Sequence, residues 1–175
     1  MLMRLEVLGE TQINRELLRW EAHVADFTPL FAALVEDFHE MERRQFASEG
    51  HAGGAGWAPL ATSTVAGRGG SANPILDRTG ISYGPAARRG GTGRESLTTS
   101  HGEHSIVRIL PDELVVGTSD PVMGYHQRGH VGPTPLPQRK VVSMTEEDRR
   151  RWVKAAQAWM VGTPLTSVLS GPRGL

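Results

Sequence analysis

Apolar residues recur with a definite period toward the two ends of this chain and lose it in the middle. Residues 3–8 (MRLEVL) alternate bulky apolar and charged side chains, the period of a strand with one buried face. Between positions 11 and 25, Ile13, Leu17, Leu18, Ala22 and Val24 gather on one helical stripe, with Thr11 or Asn14 available as the cap. Thr28-Pro29 predicts the start of the longest helix, because Thr accepts orphan amide bonds and Pro fits the first turn. In that helix Phe31, Leu34, Val35, Phe38, Met41 and Gln45/Phe46 form the core face, with Glu36, Asp37, Glu40, Arg43 and Arg44 opposite.

Past Phe46 the pattern dissolves. The run EGHAGGAGWAPLATSTVAGRGG is too rich in glycine for a helix and too irregular for a strand, so residues 49–95 are expected as a long flexible loop region. Trp57-x-Pro59-Leu60 and Ile75-Leu76 are the anchors that would fold it back onto the body. Order returns with Ser96-Leu97-Thr98-Thr99. Two β-branched runs, 104–110 and 114–118, then flank Pro111-Asp112-Glu113 and predict an antiparallel hairpin.

Residues 122–129 read as a short helical or irregular piece, and residues 131–138 (VGPTPLPQ) as an extended arm, since three prolines remove backbone donors. Residues 139–142 could add an edge strand. Thr145-Glu146-Glu147-Asp148 supplies an N-cap and its reciprocal acid for a last helix, with Trp152, Val153, Ala156, Trp159 and Met160 as its apolar stripe and Gly162 as its stop. The expected architecture is α+β: one domain over residues 1–160, an antiparallel sheet with packed helices and a long Gly/Arg-rich loop, then a loosely ordered tail at 161–175.

Composition adds three constraints. Nineteen basic and nineteen acidic residues cancel, which argues against a free nucleic-acid-binding accessory protein. The balance is uneven, however: residues 1–50 hold five Arg against ten Asp and Glu, so the front is acidic and the remainder basic, a distribution that lets one copy face the next in a ring. There is no cysteine, hence no disulfide and no thiolate metal site, and neither a signal peptide nor a bilayer-length apolar run is legible, so an intracellular, membrane-free setting is expected.

The histidines are the one constellation that could support chemistry. His101-x-x-His104 and His126-x-x-x-His130 have spacings a zinc or iron site could use, which makes a metal-dependent enzyme the competing class. The zincin order is absent, Gly129 and the prolines interrupt the helix that His126 and His130 would need, and no nucleophile elbow, phosphate loop or dinucleotide fingerprint occurs. The expectation is therefore no catalytic residue, no cofactor and no metal.

The chain resembles the phage virion morphogenesis family, which contains tail-completion and head–tail joining proteins of tailed bacteriophages. The resemblance runs from Phe31 to Met160 as an ordered series. A long helix ends at Phe46, followed by Trp57-x-Pro59-Leu60 with Thr62 or Thr64, Ile75-Leu76-x-x-Thr79-Gly80 and Val116-Gly117-Thr118. Tyr125-His126-Gln127-x-Gly129, Leu136-Pro137-x-Arg139 and Met144-Thr145-x-Glu147-Asp148 complete it. Two departures stand out: the segment 84–93 is longer and richer in Arg than the family's, and Lys140-Val141-Val142-Ser143 replaces its usual Pro-Phe-Leu-Gly after Arg139.

What the resemblance implies is a tail-terminator-like subunit that closes into a homo-oligomeric ring, commonly a hexamer, at the tail end or the head–tail neck. It implies a virion location after synthesis in the host cytoplasm. The expected partners are further copies of the chain, the tail tube protein and the head–tail connector protein, with DNA only passing through the lumen. Trp57, Arg88, Arg89, Arg128 and Arg139 are the candidate subunit or docking contacts, with Glu36 or Glu40 of a neighbour as acidic counterparts.

Overall fold

In a computed structural model of the chain, residues 10–67, 69–70, 75–76, 93–131 and 135–170 are described. The expected first strand at 3–8, Thr79-Gly80, Arg88, Arg89 and the Arg-rich segment up to residue 92 lie outside them. Helix α2, Thr28–Ala47, is the longest described element and the one around which the rest is arranged. Its cap differs from expectation: Asp26 Oδ1, two residues upstream, accepts the Thr28 amide at 2.8 Å, and Thr28 itself begins the helix. Pro29 sits in the first turn as predicted, where no donor is lost.

The second half of α2 is buried on more than its apolar stripe. Phe38, Met41 and Phe46 join Trp57, Ile75, Leu97, Met123 and Val141 in one core, while Leu30 and Leu34 join Ala155 in a second. Each large side chain so buried contributes about 1.5–3 kcal/mol. Asp37, expected on the solvent face, is buried too, as are His39, Glu42 and Gln45. Helix α6, Glu146–Met160, covers the N-terminal half of α2, and the pair is locked by charge. Asp37 Oδ2 accepts from Arg151 Nη2 and from Trp152 Nε1, each at 2.8 Å, and Arg151 also donates to Asp148 Oδ1 at 2.8 Å. Thr145 and Asp148 form the predicted capping box.

Strands β1, Ser105–Ile109, and β2, Leu114–Thr118, form the predicted antiparallel hairpin, in register from Ser105 opposite Thr118 to Ile109 opposite Leu114. It lies against α2 and the short helix α4, Gly93–Thr98, whose Leu97 is fully buried. Helix α5, Pro121–Arg128, follows, with Asp120 accepting the Val122 amide at 2.8 Å. The α+β expectation therefore holds, with one two-stranded sheet among the described residues.

Four expectations are corrected. Glycine content does not prevent a helix in the middle region, because α3, Thr62–Gly67, uses a stretch there free of internal glycine. Residues 139–142 form no strand. Val153 does not face the core; Ala155 and Ala158 do, and small residues there allow α6 to approach α2 closely. The tail is not wholly loose, since α7, Thr166–Leu169, returns Leu165, Val168 and Leu169 to the second core.

The helix before α2 behaves differently from all of these. Helix α1, Glu10–Ala25, forms as predicted, but its apolar stripe does not join the core. Ile13, Leu17, Trp20 and Val24 are each at least half exposed. Among the described residues it is the C-terminal end of α1 that is tied down: Trp159 Nε1 donates to the His23 carbonyl at 3.0 Å, and the two rings lie 4.7 Å apart.

Candidate functional site

Residues 135–145 carry the proline arm from α5 across to α6, and side chains from three separate segments, with one backbone carbonyl, hold them. Gln127, at the end of α5, has its Oε1 accepting from both Val141 N (2.7 Å) and Val142 N (2.9 Å) while its Nε2 donates to Val142 O at 2.9 Å. A single amide thus takes the place of a strand neighbour. Gln45 Nε2 and Trp57 Nε1 both donate to Lys140 O, at 2.9 and 2.8 Å. Ser143 Oγ closes the far end on Gly53 O at 3.0 Å.

Arg139 works in the opposite direction, reaching out of the strap to hold the loop beneath it. Its Nε donates to Ala58 O at 2.8 Å and its Nη2 to Pro59 O at 2.9 Å, so the planar guanidinium locks the Trp57-Ala58-Pro59-Leu60 segment. The residue is buried, and among the described residues it has no carboxylate partner; burial lowers its pKa from the ordinary arginine value. Beside it, burial first and the Arg139 charge second push the His126 imidazole down to about 4, so this ring is neutral at physiological pH. The Arg139 amide donates to the His126 carbonyl at 2.8 Å, and the His130 and Leu136 backbones pair in both directions at 2.9 Å.

Trp57 seats the whole assembly. Its ring meets Phe46 edge-on at 5.3 Å between centroids, and Gly50, at φ +93°, lies where a Cβ would overlap the indole. Any side chain at position 50 would therefore oppose both the left-handed turn and the seated Trp.

Of the five residues expected as contacts, Trp57 and Arg139 are interior groups of the subunit, where they fix the strap, and Arg128 is exposed at the end of α5. Arg88 and Arg89 are outside the described residues. Glu36 is exposed, and Glu40 is engaged by Arg43 Nε at 2.8 Å. The histidines do not assemble: His104 Nδ1 lies 3.4 Å from Ser119 Oγ and His130 is stacked edge-on to Tyr125. Among the described residues no group of three or more His, Asp or Glu side chains is placed to hold a metal ion. Likewise, no described helix is long and apolar enough to cross a membrane.

Sequence reasoning missed the fastening roles of Gln45 and Gln127 and the exposure of α1. The order Tyr-His-Gln-x-Gly was a legible signal for Gln127, but its target at 141–142 was not. Searches of curated proteins and of solved structures returned no match. A model of the phage virion morphogenesis family matches residues 8–160, which takes in every described helix from α1 to α6, the hairpin and the strap. With that span covered, the chain belongs to the phage virion morphogenesis family, and its role is that of a phage virion structural or assembly protein.

Proposed function

We propose that this protein is a ring-forming subunit at the tail end or the head–tail neck of a tailed bacteriophage, a tail-completion, terminator or neck protein rather than an enzyme. The observation that carries this reading is how the ordered motif residues are used. Trp57, Gln127 and Arg139 direct their polar groups at backbone carbonyls and amides of the subunit itself. Residues of those types in an enzyme would be expected to converge on a cavity. Here they rigidify a surface strap, and a strap of fixed shape is what a docking subunit needs, because preorganisation lowers the entropy lost on association.

In this reading copies of the chain form a ring, commonly sixfold, that meets the tail tube protein or the head–tail connector protein and leaves a lumen for DNA. Arg128 is exposed and suited to such a contact. Negative-stain microscopy of the purified protein, together with antibody labelling of particles, tests it. Rings, and label at the neck or tail end, are expected. A protein that stays monomeric and never enters particles would sink the proposal.

A further inference from the structure

We infer that the exposed stripe of α1 is an intersubunit surface whose partner is a second copy of this chain, docked through the solvent face of that copy's α6. This rests on the ring reading above. Ile13, Leu17, Trp20 and Val24 follow the four-three-four spacing of a helix–helix seam. Their exposure leaves an apolar band along most of the helix, with Trp, the residue type most enriched at interface hot spots, near its centre.

The subunit cannot cover this band with its own α6. The contact between the two helices is made by His23, roughly a third of a turn away from the stripe, and at the C-terminal ends of both helices. Glu16 and Glu21 border the band on its two sides; Glu16 has Arg19 at 3.4 Å, while Glu21 has no ion-pair partner among the described residues. An acid-bordered apolar band calls for a base-bordered apolar one.

The solvent face of α6 offers the bases. Val153 is 56% exposed with Arg149 and Lys154 beside it, neither of them with an ion-pair partner among the described residues, while Arg150 on the same face is paired with Glu146 at 3.2 Å. The two faces differ, so their contact is heterologous: it consumes one α1 and one α6 per subunit and propagates head to tail, as closing a ring requires. Pairing α1 with the α1 of another copy would instead bring acid-bordered bands together and stop at a dimer.

The chain contains no cysteine, which makes the geometry directly testable by crosslinking. Native mass spectrometry and mild oxidation would be applied to the full chain carrying Leu17→Cys, Val153→Cys, or both. The double variant should give a ladder of linked subunits and each single variant none. Leu17→Lys should weaken association by at least about tenfold while leaving the circular dichroism and melting temperature of the monomer unchanged, because the side chain is exposed. Lys154→Glu should weaken it too, and adding Glu21→Lys should restore it.

Wild-type protein that assembles while Leu17→Lys assembles equally well would overturn this interface and leave the ring reading standing. Crosslinking of Leu17→Cys to itself would replace α6 by α1 as the partner surface. Wild-type protein that is monomeric at every concentration would remove the ring reading and this inference with it.

Discussion

Glu42 gives the sharpest test of the interior. It lies on α2 between Phe38 and Phe46, is fully buried, and neither carboxyl oxygen has a hydrogen-bond partner among the described residues. Burial alone raises its pKa from 4.5 to about 8, so the folded protein keeps this group neutral at pH 7. The unfolded chain releases the proton near pH 4.5 and the folded one near pH 8. Stability from this group is therefore complete below the lower value and is lost as pH rises toward the upper one, at about 1.4 kcal/mol per pH unit. The whole span corresponds to a ceiling of about 5 kcal/mol, and pH 5 to pH 7 to about 3 kcal/mol. Glu42→Gln keeps the shape and the buried amide-like polarity but cannot ionise. It should match wild type near pH 5 and exceed it by about 3 kcal/mol at pH 7. Urea denaturation followed by far-UV circular dichroism at half-unit pH steps would measure the difference, and subtraction of the two curves removes the histidine contributions. Parallel curves from pH 5 to pH 8 would mean that Glu42 reaches water or a partner when folded, and the argument would fail.

Further outcomes follow from the strap and the ion cluster. Gln127→Leu leaves the Val141 and Val142 amides without their acceptor and should cost about 2–4 kcal/mol, with new protease cleavage between residues 136 and 142 read by mass spectrometry; retained resistance would show that the strap is held otherwise. Arg151→Met removes the cation from the buried Asp37 carboxylate, which keeps the Trp152 donor, and should cost about 3–5 kcal/mol in urea unfolding, whereas Arg151→Met with Asp37→Leu should recover part of it. The neutral His126 ring, held down to about 4 by burial and the Arg139 charge, contributes stability that is present above its ordinary value of 6.5 and is lost as pH falls toward 4. His126→Gln should accordingly flatten the acid limb of the wild-type unfolding profile, and an unchanged limb would assign that limb to other groups.

How much of this was legible in the chain follows the range of the interactions. The Thr145–Asp148 box and the Pro111-Asp112-Glu113 hairpin were readable because cap and turn chemistry act over three or four residues. The Thr28 cap was misplaced by one residue: Phe27 holds the N-cap position without a side-chain cap, and Asp26 takes the amide of Thr28, the first helical residue. Asp37 and Val153 exchanged their expected places for a tertiary reason. The α2–α6 approach buries Arg151, and that guanidinium needs the Asp37 carboxylate beside it, while the close approach selects alanines in place of Val153. Helical period alone did not reveal that the α1 stripe stays outside the core, since a stripe looks the same whether its own subunit or another covers it. Of the site, the motif order was visible, but its clamps were not, because Gln45 and Trp57 find their carbonyl 95 and 83 residues away.

Those long separations have a consequence for what lies between them. Trp57 and Arg139 close an arc of about eighty residues at its two feet, through hydrogen bonds to the Lys140 carbonyl and to the Ala58 and Pro59 carbonyls. The entropy lost in closing such an arc grows only logarithmically with its length, about 0.6 kcal/mol per doubling. The stretch between Leu60 and Ile75 can therefore be lengthened at little thermodynamic expense while the clamp keeps its shape. A peptide tag or a fluorescent domain inserted there is the natural way to follow the subunit into particles.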